Sequence, residues 1–80
     1  KYMAVATLDE AISLRKGGIC TPILILGRTS PEYTEKIVEY SLTQSVTNYD
    51  DARKMSRIAN SLGDSVKVHL KVFQKTSIRS

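Results

Sequence analysis

Four apolar segments recur along this chain at a nearly fixed interval, and a helical pattern follows each of the first three. The segments are Tyr2–Ala6, Pro22–Leu26, Leu42–Val46 and Val66–Val72. They begin at positions 2, 22, 42 and 66, and so lie 20, 20 and 24 residues apart. Such a rhythm builds a parallel sheet, because parallel neighbours need a crossover long enough to bring the chain back to the same end. Strands in a parallel sheet are covered on both faces, and Ile23-Leu24-Ile25-Leu26 is accordingly a continuous apolar run. The expected order is β-α-β-α-β-α-β, as part of a larger α/β body.

The connecting segments carry helix signals. Thr7 with Glu10 three residues on forms a capping box for a helix over Leu8 to about Lys16. Leu8, Ala11 and Ile12 mark its buried side, with Ile19 just beyond. Arg15 and Lys16 complement the C-terminal dipole, and Gly17-Gly18 stops the helix. A second helix starts after Ser30 with Pro31 at its first position and ends near Glu39; Tyr33, Ile37, Val38 and Tyr40 give it a mixed apolar face. Asn48 caps the third, whose buried stripe is Ala52, Met55, Ile58, Ala59 and Leu62, with Gly63 at the C-terminal cap.

Eighty residues allow one small domain, and 41% hydrophobic with 25% charged residues is the composition of a soluble globular protein. No apolar run approaches membrane-spanning length, and no secretory signal precedes the first strand. The opening Lys1-Tyr2 lies almost directly in a strand, which suggests a cut piece. The net charge of +4 is spread over several elements with acids interleaved, so a nucleic-acid partner is not expected. Cys20, the one cysteine, can form neither an internal disulfide nor a metal cluster; it is expected as a small, semi-buried loop residue, in keeping with a reducing compartment.

Two features near strand ends bear on function. Gly27 follows the second strand, where a backbone turns sharply or approaches a ligand closely. In the fourth strand Val66, Val68, Leu70 and Val72 face one way, and Lys67, His69 and Lys71 the other. The polar side either points into a barrel interior, where it can line a site, or is the solvated face of an edge strand.

Read in order, Tyr2 to Ala11, Leu14 to Ile19, and Pro22 to Gly27 resemble the N-terminal barrel of alanine racemases, whose pattern is close to AVATLDEALxLRxxGIxxPILVLG. Leu42 to Val46 resembles the family's LTQTV strand, and Val66 to Val72 its KVHLKVDTGMxRxG strand. The resemblance spans residues 2–72, about nine-tenths of the chain. It implies a segment of a (β/α)8 TIM-type barrel covering roughly barrel strands three to six; the alternative is a small autonomous flavodoxin-like sandwich.

By the same resemblance, the parent would be a pyridoxal 5'-phosphate enzyme interconverting L- and D-alanine for peptidoglycan. It would act on a small amino-acid substrate, as a cytoplasmic homodimer. Pyridoxal phosphate serves as an electron sink for the carbanion left when the α-proton departs. The family's Schiff-base lysine lies in a VVKANAYGHG segment and its tyrosine base in a C-terminal domain; neither motif occurs in this chain, so no catalytic residue is assigned and the isolated chain is expected to be inactive and without cofactor.

Two positions carry over as cofactor-binding. Leu26 matches the apolar residue lining the cofactor pocket. Lys71 matches the often carbamylated lysine, which supports an arginine contacting the cofactor and the substrate carboxylate. His69 shares the inward face of Lys71 and is expected to have a structural or supporting role. After Val72 the family continues Asp-Thr-Gly-Met-x-Arg, whereas this chain reads Phe73 to Ser80, with Ile78 in place of the arginine and Arg79 one position late. One residue of slip on a strand reverses the facing, so Arg79 does not inherit that role. Residues 1–72 are therefore expected as the barrel segment and 73–80 as a tail outside the family pattern. The remaining alternatives are a racemase for serine or another amino acid, and a non-enzymatic α/β binding or oligomerisation module.

Overall fold

The computed structural model describes residues 2–71; the end of the fourth segment at Val72 and the 73–80 tail lie outside the described residues. Four strands, β1 (Met3–Val5), β2 (Ile23–Ile25), β3 (Thr43–Val46) and β4 (Lys67–Leu70), alternate with helices. These are α1 (Leu8–Lys16), α2 (Thr34–Glu39), preceded by a 3-10 turn at Pro31–Tyr33, and α3 (Tyr49–Ser61). Every pairing is parallel, and the spatial order equals the chain order, β1-β2-β3-β4. A flavodoxin-like sandwich would reverse direction at a switch point and place β1 between β2 and β3. Sequential order with crossovers of one hand puts all helices on one side, as in a barrel arc, and one core joins α1, α2 and α3 to the sheet.

Register divides the sheet into two faces. Val5, Ile25, Gln44 and Val68 form one row across it; Ala4, Leu24, Thr43 and Lys67 form the next, on the opposite face. The first face meets the helices. Ile23, Ile25, Leu42 and Val46 join Ala11 of α1, Ile37 of α2 and Met55 of α3 in one buried core. The other face turns away from all three helices and carries Lys67 and His69, both exposed.

Helix ends follow the sequence signals closely. Thr7 and Glu10 form the capping box, with the Glu10 carboxylate accepting from Ala6 N–H at 2.9 Å. Asn48 Oδ1 accepts from Asp51 N–H at 2.8 Å. Each helix closes with a left-handed residue and a long return bond: Ile19 N–H to Leu14 carbonyl, Leu42 N–H to Ile37, and Asp64 N–H to Ala59. Gly18 and Gly63 supply the positive φ in the first and third, whereas Ser41 adopts φ 53° in the second.

Several burial expectations are corrected. Tyr33 is exposed, because the 3-10 turn rotates it off the apolar face; Thr34 takes the buried place. Leu62 is exposed because it lies past the last turn of α3, at its cap. Cys20 is exposed rather than semi-buried, since the α1–β2 loop carries it outward after Gly18. Tyr2 and Met3 are exposed as well, because β1 has a described neighbour on only one side.

Candidate functional site

In parallel α/β barrels the side chains that do chemistry sit where strands end and the following loops begin. Here that end gathers Ala6 and Thr7 after β1, Leu26 to Thr29 after β2, Thr47 and Asn48 after β3, and Lys71 after β4.

Leu26 lies one residue past β2, on the face away from the helices by alternation from buried Ile23 and Ile25, and it is 52% exposed. Lys71 extends β4; its N–H donates to the Val46 carbonyl at 2.7 Å, and its exposed side chain continues the Lys67–His69 alternation. The two expected cofactor-binding positions therefore share one face and one end of the sheet, with β3 between them. His69 is on that same face, in register with Ser45.

The backbone at Leu26 and Gly27 is held from both neighbouring strands. Leu26 N–H donates to the Val5 carbonyl at 2.8 Å and Gly27 N–H to the Ala6 carbonyl at 3.0 Å. From β3, the fully buried Gln44 donates through Nε2 to the Gly27 carbonyl at 2.7 Å and to the Ser45 carbonyl at 2.9 Å. Its Oε1 is buried without a partner among the described residues. A Cβ at Gly27 would collide with the Ala6 carbonyl oxygen, so glycine here is a requirement of close approach between β1 and β2.

Arg28 then reaches across to α3. Its Nε and Nη2 donate to Asp51 Oδ2 and Oδ1 at 3.2 and 3.3 Å, a two-point pair with the Asp51 side chain 10% exposed and that of Arg28 68% exposed. Leu26, Arg28, Thr29 and Asp51 line one small cavity of about 40 Å³ with Ser45 and Thr47. A larger cleft of about 340 Å³ opens on the other side of Arg28, toward Thr7, Asp9, Ser30 and Tyr33.

Leu26, Lys71 and His69, the positions singled out from the sequence, lie on one face at this end of the sheet; Gln44, Arg28 and Asp51, which meet at the same strand end, are not among them. A signal existed for Gln44, an amide inside an apolar strand on the parity of Leu42 and Val46. None existed for the Arg28–Asp51 pair, which joins residues 23 apart in sequence. Among the described residues no group of three or more metal-ligating side chains forms.

Sequentially ordered parallel strands, one helical layer and a polar inward face at the strand ends define the class: an arc of a parallel α/β barrel. A family model described as "Alanine racemase, N-terminal domain" matches residues 1–77, and the chain belongs to that family. It is 46% identical over 71 residues to an alanine racemase of Desulfovibrio desulfuricans, covering 89% of this chain and 19% of that protein. The solved alanine racemase of Clostridium difficile 630 in complex with cycloserine superposes with a TM-score of 0.83 at 42% identity, over 89% of this chain and 19% of that one. A histidine racemase from Leuconostoc mesenteroides superposes with a TM-score of 0.77 at 31% identity, over 81% of this chain and 18% of that one. The chain thus spans about a fifth of the length of the relatives it matches.

Proposed function

We propose that this chain is the segment of roughly barrel strands three to six of a pyridoxal-phosphate-dependent alanine racemase. That enzyme interconverts L- and D-alanine for peptidoglycan, in the cytoplasm and as a homodimer. The observation that carries the reading is joint agreement of sequence and shape with the C. difficile enzyme, 42% identity at a TM-score of 0.83 over 89% of the chain. An unrelated barrel arc would share the shape without the residues.

The residues present suit a wall of the cofactor site rather than its anchor. Half-exposed Leu26 offers apolar surface at a strand end, and Lys71 stands at the carbamylated-lysine position, while the arginine it would support falls where this chain has Ile78. When bound, the cofactor withdraws electrons from the substrate α-carbon. This chain's part is to place Leu26 and Lys71 on one face. It holds neither the family's cofactor-bearing lysine motif nor its tyrosine base, so alone it is inactive. The division into a barrel segment, 1–72, and a tail, 73–80, rests on the sequence pattern. A racemase for serine or another amino acid is the second reading, favoured by the likeness to a histidine racemase.

The test is a graft. Residues 2–71 replace the matching segment of the C. difficile alanine racemase, and D-alanine formation is followed with pyridoxal phosphate present. Sustained racemisation of alanine supports the proposal. A folded graft that binds no cofactor and racemises no amino acid refutes it, and preference for another amino acid moves the reading to the second one.

A further inference from the structure

We infer that Arg28 and Asp51 are positioning residues, whose ion pair fixes the end of β2 so that Leu26 presents a defined surface to the cofactor. The inference rests on the racemase reading, because it takes the cofactor to lie against Leu26.

The two-point geometry supports it first. Two guanidinium nitrogens meet two carboxylate oxygens at 3.2 and 3.3 Å, which fixes the orientation as well as the distance of the groups. Asp51 is itself immobilised. It sits in the first turn of α3, its N–H is held by the Asn48 cap at 2.8 Å, and its side chain is 10% exposed. The helix N-terminus favours its negative charge. Arg28 is the exposed partner, its side chain 68% accessible, two residues after Leu26.

Placement supplies the second support. Leu26, Arg28 and Asp51 line the same small cavity, so the ion pair forms part of the wall behind Leu26. The other restraints on this strand end hold the backbone at Leu26 and Gly27, through the Val5 and Ala6 carbonyls and Gln44 Nε2. Among the described residues the Arg28–Asp51 pair is the hydrogen-bonded tie from the loop beyond Gly27 to α3, beside the packing of buried Thr29 and the 3-10 turn, and so helps set the direction in which the chain leaves the strand. Without it the loop at Arg28 loosens while buried Thr29 still holds its far end, and Leu26 loses part of its backing.

Two measurements test this. Hydrogen exchange by mass spectrometry on the 80-residue chain reads the peptide spanning Leu26 to Ser30. Arg28→Ala and Asp51→Asn are each expected to raise its exchange by about five- to tenfold, with Arg28→Lys in between because lysine keeps the charge but not the fork. The double variant should exceed neither single one, since either substitution removes the same interaction. In the graft described above, the same variants should weaken pyridoxal-phosphate retention by roughly tenfold, read from cofactor fluorescence, and Arg28→Lys should restore part of it. Unchanged exchange overturns the clamp. Raised exchange with unchanged retention, in a graft that binds cofactor, overturns the positioning role. A parent graft that binds no cofactor before any substitution fails the racemase reading instead.

Discussion

Arg15 links three segments at the end of the sheet opposite the candidate site, and removing it should cost the fold more than any other surface arginine. Its Nε donates to the Tyr40 carbonyl at 2.7 Å, Nη1 to those of Ile19 and Thr21 at 2.9 and 2.8 Å, and Nη2 to that of Ser41 at 3.0 Å. One half-buried guanidinium thus ties α1 to the loop entering β2 and to the turn between α2 and β3. A hydrogen bond to a charged group contributes about 1.5–3 kcal/mol net. Four on one side chain do not add, because they share one rotamer and the freed carbonyls regain some water, so Arg15→Ala should cost about 2–4 kcal/mol. A domain of this size has a total stability of about 4–12 kcal/mol. The thermal midpoint should therefore fall by roughly 10–25 °C. Urea denaturation at one fixed protein concentration measures the loss directly. Arg15→Lys should recover about half, since a lysine ammonium reaches one or two of these carbonyls and cannot span the fork. A loss below about 1 kcal/mol for alanine, or full recovery with lysine, would show that the guanidinium fork does not hold the three segments together.

Two further substitutions test local geometry. Ser41→Gly should stabilise the chain by about 0.5–1 kcal/mol, because Ser41 closes α2 at φ 53° where Gly18 and Gly63 do the same for the other helices; a loss of stability would show that the serine side chain contributes something the backbone angle does not reveal. Gly27→Ala should destabilise by about 1–3 kcal/mol, since its Cβ meets the Ala6 carbonyl oxygen of the neighbouring strand rather than a yielding side chain. A neutral result in urea denaturation would mean β1 and β2 can separate at this point without cost.

Much of the fold was legible in the sequence because several local signals agreed at each boundary. The Thr7–Glu10 box, Asn48, Gly18 and Gly63 mark helix ends by chemistry acting within a few residues, and the structure uses each of them. The β4 alternation was equally readable, and register places Lys67 and His69 on the face away from the helices. What failed to show was what depends on contacts distant in sequence. Arg15 read as a dipole-complementing helix end, yet its partners at Tyr40 and Ser41 lie 25 and 26 residues on. Tyr33 and Leu62 fit apolar stripes by spacing, but a 3-10 turn and a helix end moved them into solvent. The exposure of Tyr2 and Met3 was hidden for another reason, since an apolar strand reads the same whether or not a neighbour covers its edge.

An arc of a larger barrel leaves its edge strands unpaired and is not expected to stand as a self-sufficient sheet. Among the described residues β1 and β4 each pair on one side only, and Met3 of β1 and Tyr2 just before it are exposed. Sedimentation equilibrium of the purified chain tests this most directly. Self-association is expected, with a mass well above the 8.9 kDa of one chain. A folded, monodisperse 8.9 kDa monomer at tens of micromolar would contradict it, showing that the arc satisfies its own edges.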